Sequence, residues 1–351
     1  MKVSPSMNFL KPIFTRQFSR RLVGFGTWIV LASVLGAWGL LYWGDDWWLA
    51  TLVMFSPRWV WLLLPIFATL SSAFVRRRSL VPALLSLGVA IGPVMGLCVP
   101  WRSVVQDRPA AGIRILTCNM HWRKVDPAAL DALILQIQPD LVALQEYRES
   151  SPSTVLAGNA WFIESIPGLY LASRHPIRRA EQIGDNSTGP HGSAALYELD
   201  TPSGSLTLFS LHLATPRDSL GKIANEDPLA QQGIETNSQV RKDQSDFIAS
   251  KANRVSAPLL VVGDFNTPPE SVLFRTIWNG YEDAFSEAGF GWGYTFANRW
   301  TRVRIDHILI GGSGHATRCW VGPDIGSPHR PVIADVTWPG SIQTDAPLRD
   351  P

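Results

Sequence analysis

The chain has 351 residues, with 31 Lys and Arg against 29 Asp and Glu, and 46% of it is hydrophobic, including 15 tryptophans. The near-neutral total conceals an uneven distribution: residues 1–99 hold nine of the basic and two of the acidic residues, which leaves 22 and 27 to residues 100–351, a formal net charge of −5. An acidic C-terminal part argues against a strong non-specific nucleic-acid binder, and Cys98, Cys118 and Cys319, with no CxxC or Cys/His cluster, argue against a structural zinc site.

Residues 1–100 read as a membrane region of about three transmembrane helices. The first apolar stretch, Leu22–Trp43, is uncharged and long enough to cross a hydrocarbon core of ~30 Å. Its length, and the apolar runs that follow without a clear cleavage site, argue against a cleaved signal peptide. The second stretch, Trp59–Val75, is short by itself and is preceded, beyond Arg58, by a further apolar piece, Trp47–Pro57. The third, Leu80–Val99, is again uncharged and of spanning length. Trp43, Trp47, Trp48, Trp59, Trp61 and Trp101 cluster near the ends of these stretches, where amphipathic rings favour the membrane–water interface. Lys2, Lys11, Arg16, Arg20 and Arg21 precede the first stretch, and Arg76, Arg77 and Arg78 separate the second from the third. The positive-inside rule then puts the N-terminus and the triple-Arg loop in the cytoplasm. Three crossings deliver the rest of the chain to the far side, the periplasm or exterior of a bacterium; a re-entrant second stretch would leave it cytoplasmic.

From residue 112 the pattern changes to short β-rich runs between turn residues. Gly112–Asn119, Leu141–Gln145, Leu169–Ser173, Ser193–Leu199, Ser205–Leu213, Leu259–Gly263, Arg304–Ile310 and Pro331–Val336 read as strands. Asp126–Gln138 and Asn237–Arg254 read as helices, the first with Asp126 as N-cap and Pro127 at the first helical position. Residues 214–236, poor in apolar residues, read as a surface loop. Two strand-rich halves, each with helices, predict an α+β sandwich over 101–338, and the polar segment 339–351 reads as an unfolded tail. Cys118 and Cys319 read as buried thiols.

The strands end on polar residues: Asn119, Glu146, His212, Asp264 with Asn266, Asp306 with His307, and His329. A carboxylate or imidazole at the end of a buried strand faces a rim or cleft. Six such ends lining one cleft would supply a hard-metal ligand, a water-activating carboxylate, imidazoles and amide donors. That is the set needed to hydrolyse a phosphate ester with an oxygen-ligated cation.

The segments TCNMH (117–121), LQE (144–146), SRHPI (173–177), FSLHL (209–213), VVGDFNTPP (261–269), RIDHILI (304–310) and SPHRPVIADV (327–336) occur in the order found in the endonuclease/exonuclease/phosphatase superfamily. The chain resembles that superfamily over roughly residues 112–338. The resemblance implies a DNase I-like four-layer αββα sandwich, here preceded by helical transmembrane segments. It implies Glu146 as the principal ligand of Mg²⁺ or Mn²⁺, with Asn119 beside the metal. It implies Asp264 as the group that orients and deprotonates water, with Asn266 bonding the phosphate or that Asp. His329, His212 and Asp306 would be the remaining catalytic residues: His329 donates to a phosphate oxygen, Asp306 fixes its tautomer, and His212 makes a second phosphate contact. Tyr170, Arg174 and Arg330 are weaker substrate-binding candidates; Arg174 could only stabilise its loop, and Arg330 could bind phosphate or an acid. His307, next to Asp306 on a strand, points to the opposite face. Where the family often has an acid before the last-motif His, this chain has Pro328, which puts a second metal in doubt; where many nucleases have an acid two residues after the first-motif Asn, it has His121.

The expected function is divalent-metal-dependent hydrolysis of a phosphodiester by an enzyme anchored in a lipid bilayer. The membrane region and the acidic domain favour a phospholipid headgroup or another envelope phosphodiester as substrate. Extracellular DNA or RNA is the alternative, and a catalytically weak membrane scaffold is the alternative of another class.

Overall fold

The computed structural model describes residues 16–101, 112–121, 125–147, 153–183, 193–224, 227–256 and 258–339. Lys2 and Lys11, on which the expected orientation partly rests, and the expected tail beyond 339 lie outside them. The chain divides into two compact units: one takes the described residues of Met1–Gly39 with Arg58–Met95, the other Leu40–Pro57 with the described residues of Gly96–Pro351.

The first unit is helical. Helix α1 (Arg16–Leu41) and the run Arg58–Val75, a 3-10 turn leading into α3 (Leu63–Val75), are both long and apolar enough to cross a membrane. The expected third crossing is shorter than the sequence suggests. After α4 (Leu80–Val89) come only five residues of π-helix, Ala90–Val94, with Pro93 inside them. At ~1.5 Å per residue the fifteen helical residues reach about 22 Å, short of a ~30 Å core. Arg58, the one basic residue between the first two stretches, is buried and donates to the Val94 carbonyl.

The second unit begins with Leu40–Pro57, which carries α2 (Trp48–Phe55). Its body is two six-stranded mixed sheets. The first has the order β13 (His315–Val321), β14 (Val332–Thr337), β1 (Ile113–Asn119), β2 (Leu141–Gln145), β4 (Leu169–Ser173), β3 (Phe162–Ile166). The second runs β5 (Ile177–Ile183), β6 (Ser193–Thr201), β7 (Gly204–His212), β8 (Leu259–Asp264), β12 (Asp306–Gly311), β9 (Glu282–Asp283). A small ribbon pairs β10 (Phe296–Ala297) with β11 (Arg302–Val303).

The period-two alternation of the strands divides the core. Ile115, Leu141, Ala143 and Leu171 from the first sheet meet Tyr197, Leu208, Leu260, Val262 and Ile308 from the second in the cluster between the sheets. Their neighbours turn outward. Leu116, Val142 and Leu144 pack under Leu130, Leu133 and Ile134 of α5 (Pro127–Ile137). Phe209, Leu211 and Val261 pack under Ile248 and Ala249 of α7 (Ala230–Ala252) and Leu273 and Phe274 of α8 (Val272–Ile277). The layers are therefore helix, sheet, sheet, helix, the expected αββα arrangement.

The pattern missed the four edge strands of the two large sheets, β13, β3, β5 and β9, and the short β10–β11 ribbon. An edge strand need not bury both faces, and β5 carries Arg178 and Arg179 paired across to Asp200 and Glu198 of β6. The expected loop 214–236 is also largely helical among its described residues: α6 (Arg217–Ala224) precedes α7, which starts at Ala230 rather than 237. Both stretches are mostly polar, with Ala230 and Ile234 the buried apolar residues at the start of α7, and so show little apolar signal.

Arg114 of β1 ties the first sheet together. Its guanidinium grips Asp335 of β14 bidentately, at 2.6 and 2.9 Å, and donates to the Ile137 carbonyl at the end of α5. Removing one partner strands the other charge under cover. Asp335→Ala is expected to lower unfolding free energy by about 3 kcal/mol in urea titration, whereas surface Asp200→Ala costs under ~1 kcal/mol.

Candidate active site

Strand direction collects the polar ends. β1 runs parallel to β2, and β7 parallel to β8, while β14 and β12 run antiparallel to β1 and β8. The C-terminal ends of β1, β2, β7 and β8 and the N-terminal ends of β12 and β14 therefore reach one common edge of the sandwich. Asn119, His212 and Asp264 are the last residues of β1, β7 and β8, Asp306 is the first of β12, Glu146 follows β2, and His329 precedes β14.

The six are buried and in contact. Asn119 Nδ2 donates to Asp264 Oδ2 at 2.9 Å and lies 3.4 Å from Glu146 Oε1. His212 Nε2 sits 3.5 Å from Glu146 Oε1 and 3.7 Å from Asp264 Oδ2. His329 Nδ1 faces Asp306 Oδ2 at 2.9 Å, which turns Nε2 toward Asp264 Oδ2, 3.9 Å away. The backbone N–H of Asn266 donates to Asp264 Oδ1 at 2.9 Å, and its side-chain amide donates to the Leu213 carbonyl. Asn266, expected to bond either the phosphate or Asp264, meets Asp264 through its backbone N–H only.

Local backbone explains the tight assembly. Gly263 has φ +133°, and a Cβ there would lie 2.0 Å from the Leu211 carbonyl oxygen, so only glycine lets β7 and β8 approach closely enough to set His212 opposite Asp264. Glu146, His121 and Asn266 all take positive φ, at 51°, 54° and 48°. For non-glycine residues this is uncommon backbone, and here it turns the chain at the site's rim.

Several helpers escaped the sequence reading. Thr295 Oγ1 accepts from the N–H groups of Ile305 and Asp306, fixing the start of β12. Ser327 Oγ donates to the Asn119 carbonyl at 2.6 Å and accepts from His329 N–H, joining the first and last motifs. Arg217 of α6 reaches His121 Nε2 at 2.7 Å. Ser327, two residues before His329, was within reach of a motif argument; Thr295 and Arg217 were not, since neither lies in a patterned segment.

Three candidates stand apart. Tyr170 points outward into the cluster under α5, its ring 4.8 Å from that of Tyr147. Arg174 stacks on Trp161 at 4.4 Å and donates to the Pro139 carbonyl, so it braces its own loop. Arg330 pairs at 3.6 Å with Asp324 on the surface, the acid-binding alternative. His307 faces away, as strand alternation requires, packing on Phe265 and Phe274.

Charge in the buried cluster is compensated. Burial, and then the charge of Asp306, push the Asp264 carboxyl up to about 7, against the opposing pull of His329 and the Asn119 donor. Burial alone would depress His329, but the carboxylates of Asp306 and Asp264 outweigh it and hold the imidazole at about 9. Asp264, Asp306 and His329 offer atoms within 4.8 Å of one another, so they too could receive a cation. An imidazolium whose Nδ1–H is already committed to Asp306 is a poor ligand, however, and with two acids it forms a self-sufficient ion triad. Glu146 lies outside that triad: Asn119 Nδ2 is 3.4 Å and His212 Nε2 3.5 Å from its Oε1, and a carboxylate suits a hard divalent ion. Asn119, expected beside the metal, accepts the His121 N–H on Oδ1 at 2.7 Å and presents Nδ2 to Asp264 and Glu146.

The raised His329 fixes a sign. A folded-state value above the unfolded ~6.5 contributes stability that is complete below pH ~6.5 and lost as pH rises through about 9. With chelator present, wild-type unfolding free energy should fall by about 3 kcal/mol across that window. Asp306→Asn, which removes the main stabilising charge, should flatten the slope in denaturant titrations taken at each pH.

The Endonuclease/Exonuclease/phosphatase family matches residues 116–329. Among solved structures, humanized D. rerio TDP2 carrying 14 mutations is 16% identical with a TM-score of 0.51, covering 64% of this chain and 98% of that one. D. rerio TDP2 complexed with single-strand DNA product is 17% identical with a TM-score of 0.50, covering 65% and 99%. No curated protein matches the chain. The family match takes in all six polar ends and every strand but β14 and the start of β1, and the chain belongs to the Endonuclease/Exonuclease/phosphatase family of phosphoester hydrolases.

Proposed function

We propose that the chain is a divalent-metal-dependent phosphodiesterase of a membrane, with the edge residues in separate roles. The observation that carries the reading is the juxtaposition of a buried carboxylate near neutrality, Asp264, with a cationic His329 and a lone acid, Glu146. Asp264 accepts the proton of the attacking water; a base whose affinity lies near neutral pH is matched to that task. Asn119 and the Asn266 N–H hold its two oxygens in place. His329 donates from Nε2 to a non-bridging phosphate oxygen, with Asp306 keeping the tautomer and charge. His212 donates to a second oxygen. Water's oxygen forms the new bond to phosphorus as the bond to the leaving oxygen breaks in line. Glu146 would hold Mg²⁺ or Mn²⁺, which when bound supplies charge neutralisation at the phosphate.

The preferred substrate is a phospholipid headgroup or another envelope phosphodiester. Two apolar helices of spanning length, with Phe25, Phe67 and Phe74 exposed on them, support attachment to a bilayer. With the triple-Arg segment cytoplasmic, the number of crossings decides whether the catalytic unit lies outside the cell or within. Nucleic acid is the second reading, supported by the DNA product held by the structurally similar D. rerio TDP2.

The full chain in nanodiscs, assayed with Mg²⁺ or Mn²⁺ against sphingomyelin, glycerophospholipids, phosphoinositides, DNA and RNA, separates these. Chelator should abolish turnover, and Glu146→Ala or His329→Ala should lower kcat/KM by ~10²–10⁴. Wild-type rates in either variant would remove the assignment. Cleavage confined to nucleic acid would replace the lipid reading.

A further inference from the structure

The strip Leu213–Thr215 directly follows His212, and its backbone groups are held from two sides. Leu213 N–H donates to the Asp264 carbonyl and Leu213 O accepts from Asn266. The other contacts come from α7: Gln244 accepts from Ala214 N–H at 2.9 Å, Arg241 donates to Ala214 O at 3.1 Å, and Asn237 donates to Thr215 O at 2.8 Å. Positions 237, 241 and 244 are spaced i, i+4, i+7, so a single stripe of the helix grips the strip.

Arg241 is wholly buried, and the charge that compensates it comes from far away in sequence. Its Nη2 pairs with Asp45 Oδ1, and Ser238 Oγ donates to the same oxygen at 3.3 Å. Asp45 lies in the loop that leaves α1 and belongs, with the rest of Leu40–Pro57, to the catalytic unit. That loop is fastened there by Val272 N–H to the Gly44 carbonyl, by Arg275 to the Tyr42 carbonyl, and by the Arg275 guanidinium over the Tyr42 ring at 4.2 Å. Asp45 takes φ 71°, and its N–H is capped by Thr51. Asp45 Oδ2 and Arg241 Nε make no hydrogen bond, so the two charges depend on each other.

We propose that Arg241 is a positioning residue whose hold on the strip behind His212 depends on Asp45, so that the loop leaving the first apolar helix sets the competence of the catalytic edge. One planar fork joins the Asp45 carboxylate to the Ala214 carbonyl, which a lysine ammonium cannot span in the same geometry. The loop that ends an apolar helix thus acts as a part of the hydrolytic machinery, and displacing it loosens the strip that carries His212. The inference rests on the hydrolytic reading above for its kinetic consequence only.

The test uses the full chain in nanodiscs and compares Asp45→Asn and Arg241→Lys with Asp46→Asn, the same charge change at the adjacent exposed position. Hydrogen exchange of the amides in 208–216 should accelerate about tenfold or more in the first two and stay at the wild-type rate in the third. With bis(p-nitrophenyl) phosphate, kcat per folded molecule should fall about tenfold in the first two with KM held, and the double variant should be no worse than either single one. Wild-type exchange and kcat per folded molecule, with only a lower Tm, would overturn the proposal by reducing the pair to a structural bond. Should Asp45→Asn not fold, Asp45→Glu carries the same readouts. If no form hydrolyses the diester, the hydrolytic reading fails, and exchange alone decides the coupling.

Discussion

Two carboxylates and an imidazole are buried side by side, and the rest of the catalytic unit is arranged so that they can be. Asp264, Asp306 and His329 are each 1% exposed. Isolated charges at that depth would neutralise rather than persist. Here the imidazolium sits between the acids, and both oxygens of Asp264 meet a fixed donor. Asn119 and the Asn266 N–H cover Asp264, while Thr295 pins the strand start that carries Asp306. Donors fixed by backbone need no reorganisation when a phosphate arrives, which is the physical basis of electrostatic preorganisation.

Those donors arrive from both sheets, so the sandwich itself is the positioning device. Parallel pairs at the centre of each sheet send two strand ends to one edge, and antiparallel neighbours begin there. Gly263 closes the approach of β7 and β8, and Ser327 joins β1 to the segment before β14. The helices outside the sheets have a second duty. α7 covers the core with Ile248 and Ala249 and holds the strip after His212 with its polar stripe, so packing and chemistry share one element.

Legibility in the sequence followed burial. Strands covered on both faces, such as Leu141–Gln145 and Leu169–Ser173, read at their correct bounds because apolar content and turn residues agree there. Edge strands β3, β5 and β13 did not read, since a strand with one open face can carry Arg178 or Glu164 without penalty. The polar strand ends were legible as a set, because a carboxylate or histidine closing an apolar run is conspicuous. Strand alternation gave the direction of His307, but not those of Tyr170, which points into packing, and Arg174, which braces its loop. Arg241 was invisible for another reason. Its partner Asp45 lies 196 positions away, in a segment that composition assigns to the membrane part.

On the proposed reading the divalent ion binds at Glu146, while the Asp264–His329–Asp306 triad handles protons and phosphate charge. Mn²⁺ binding to the full chain, followed by electron paramagnetic resonance at neutral pH, tests this without any substrate. A saturable site is expected in the wild type, lost in Glu146→Gln and retained in Asp306→Asn. Retention in Glu146→Gln with loss in Asp306→Asn would put the ion in the triad instead.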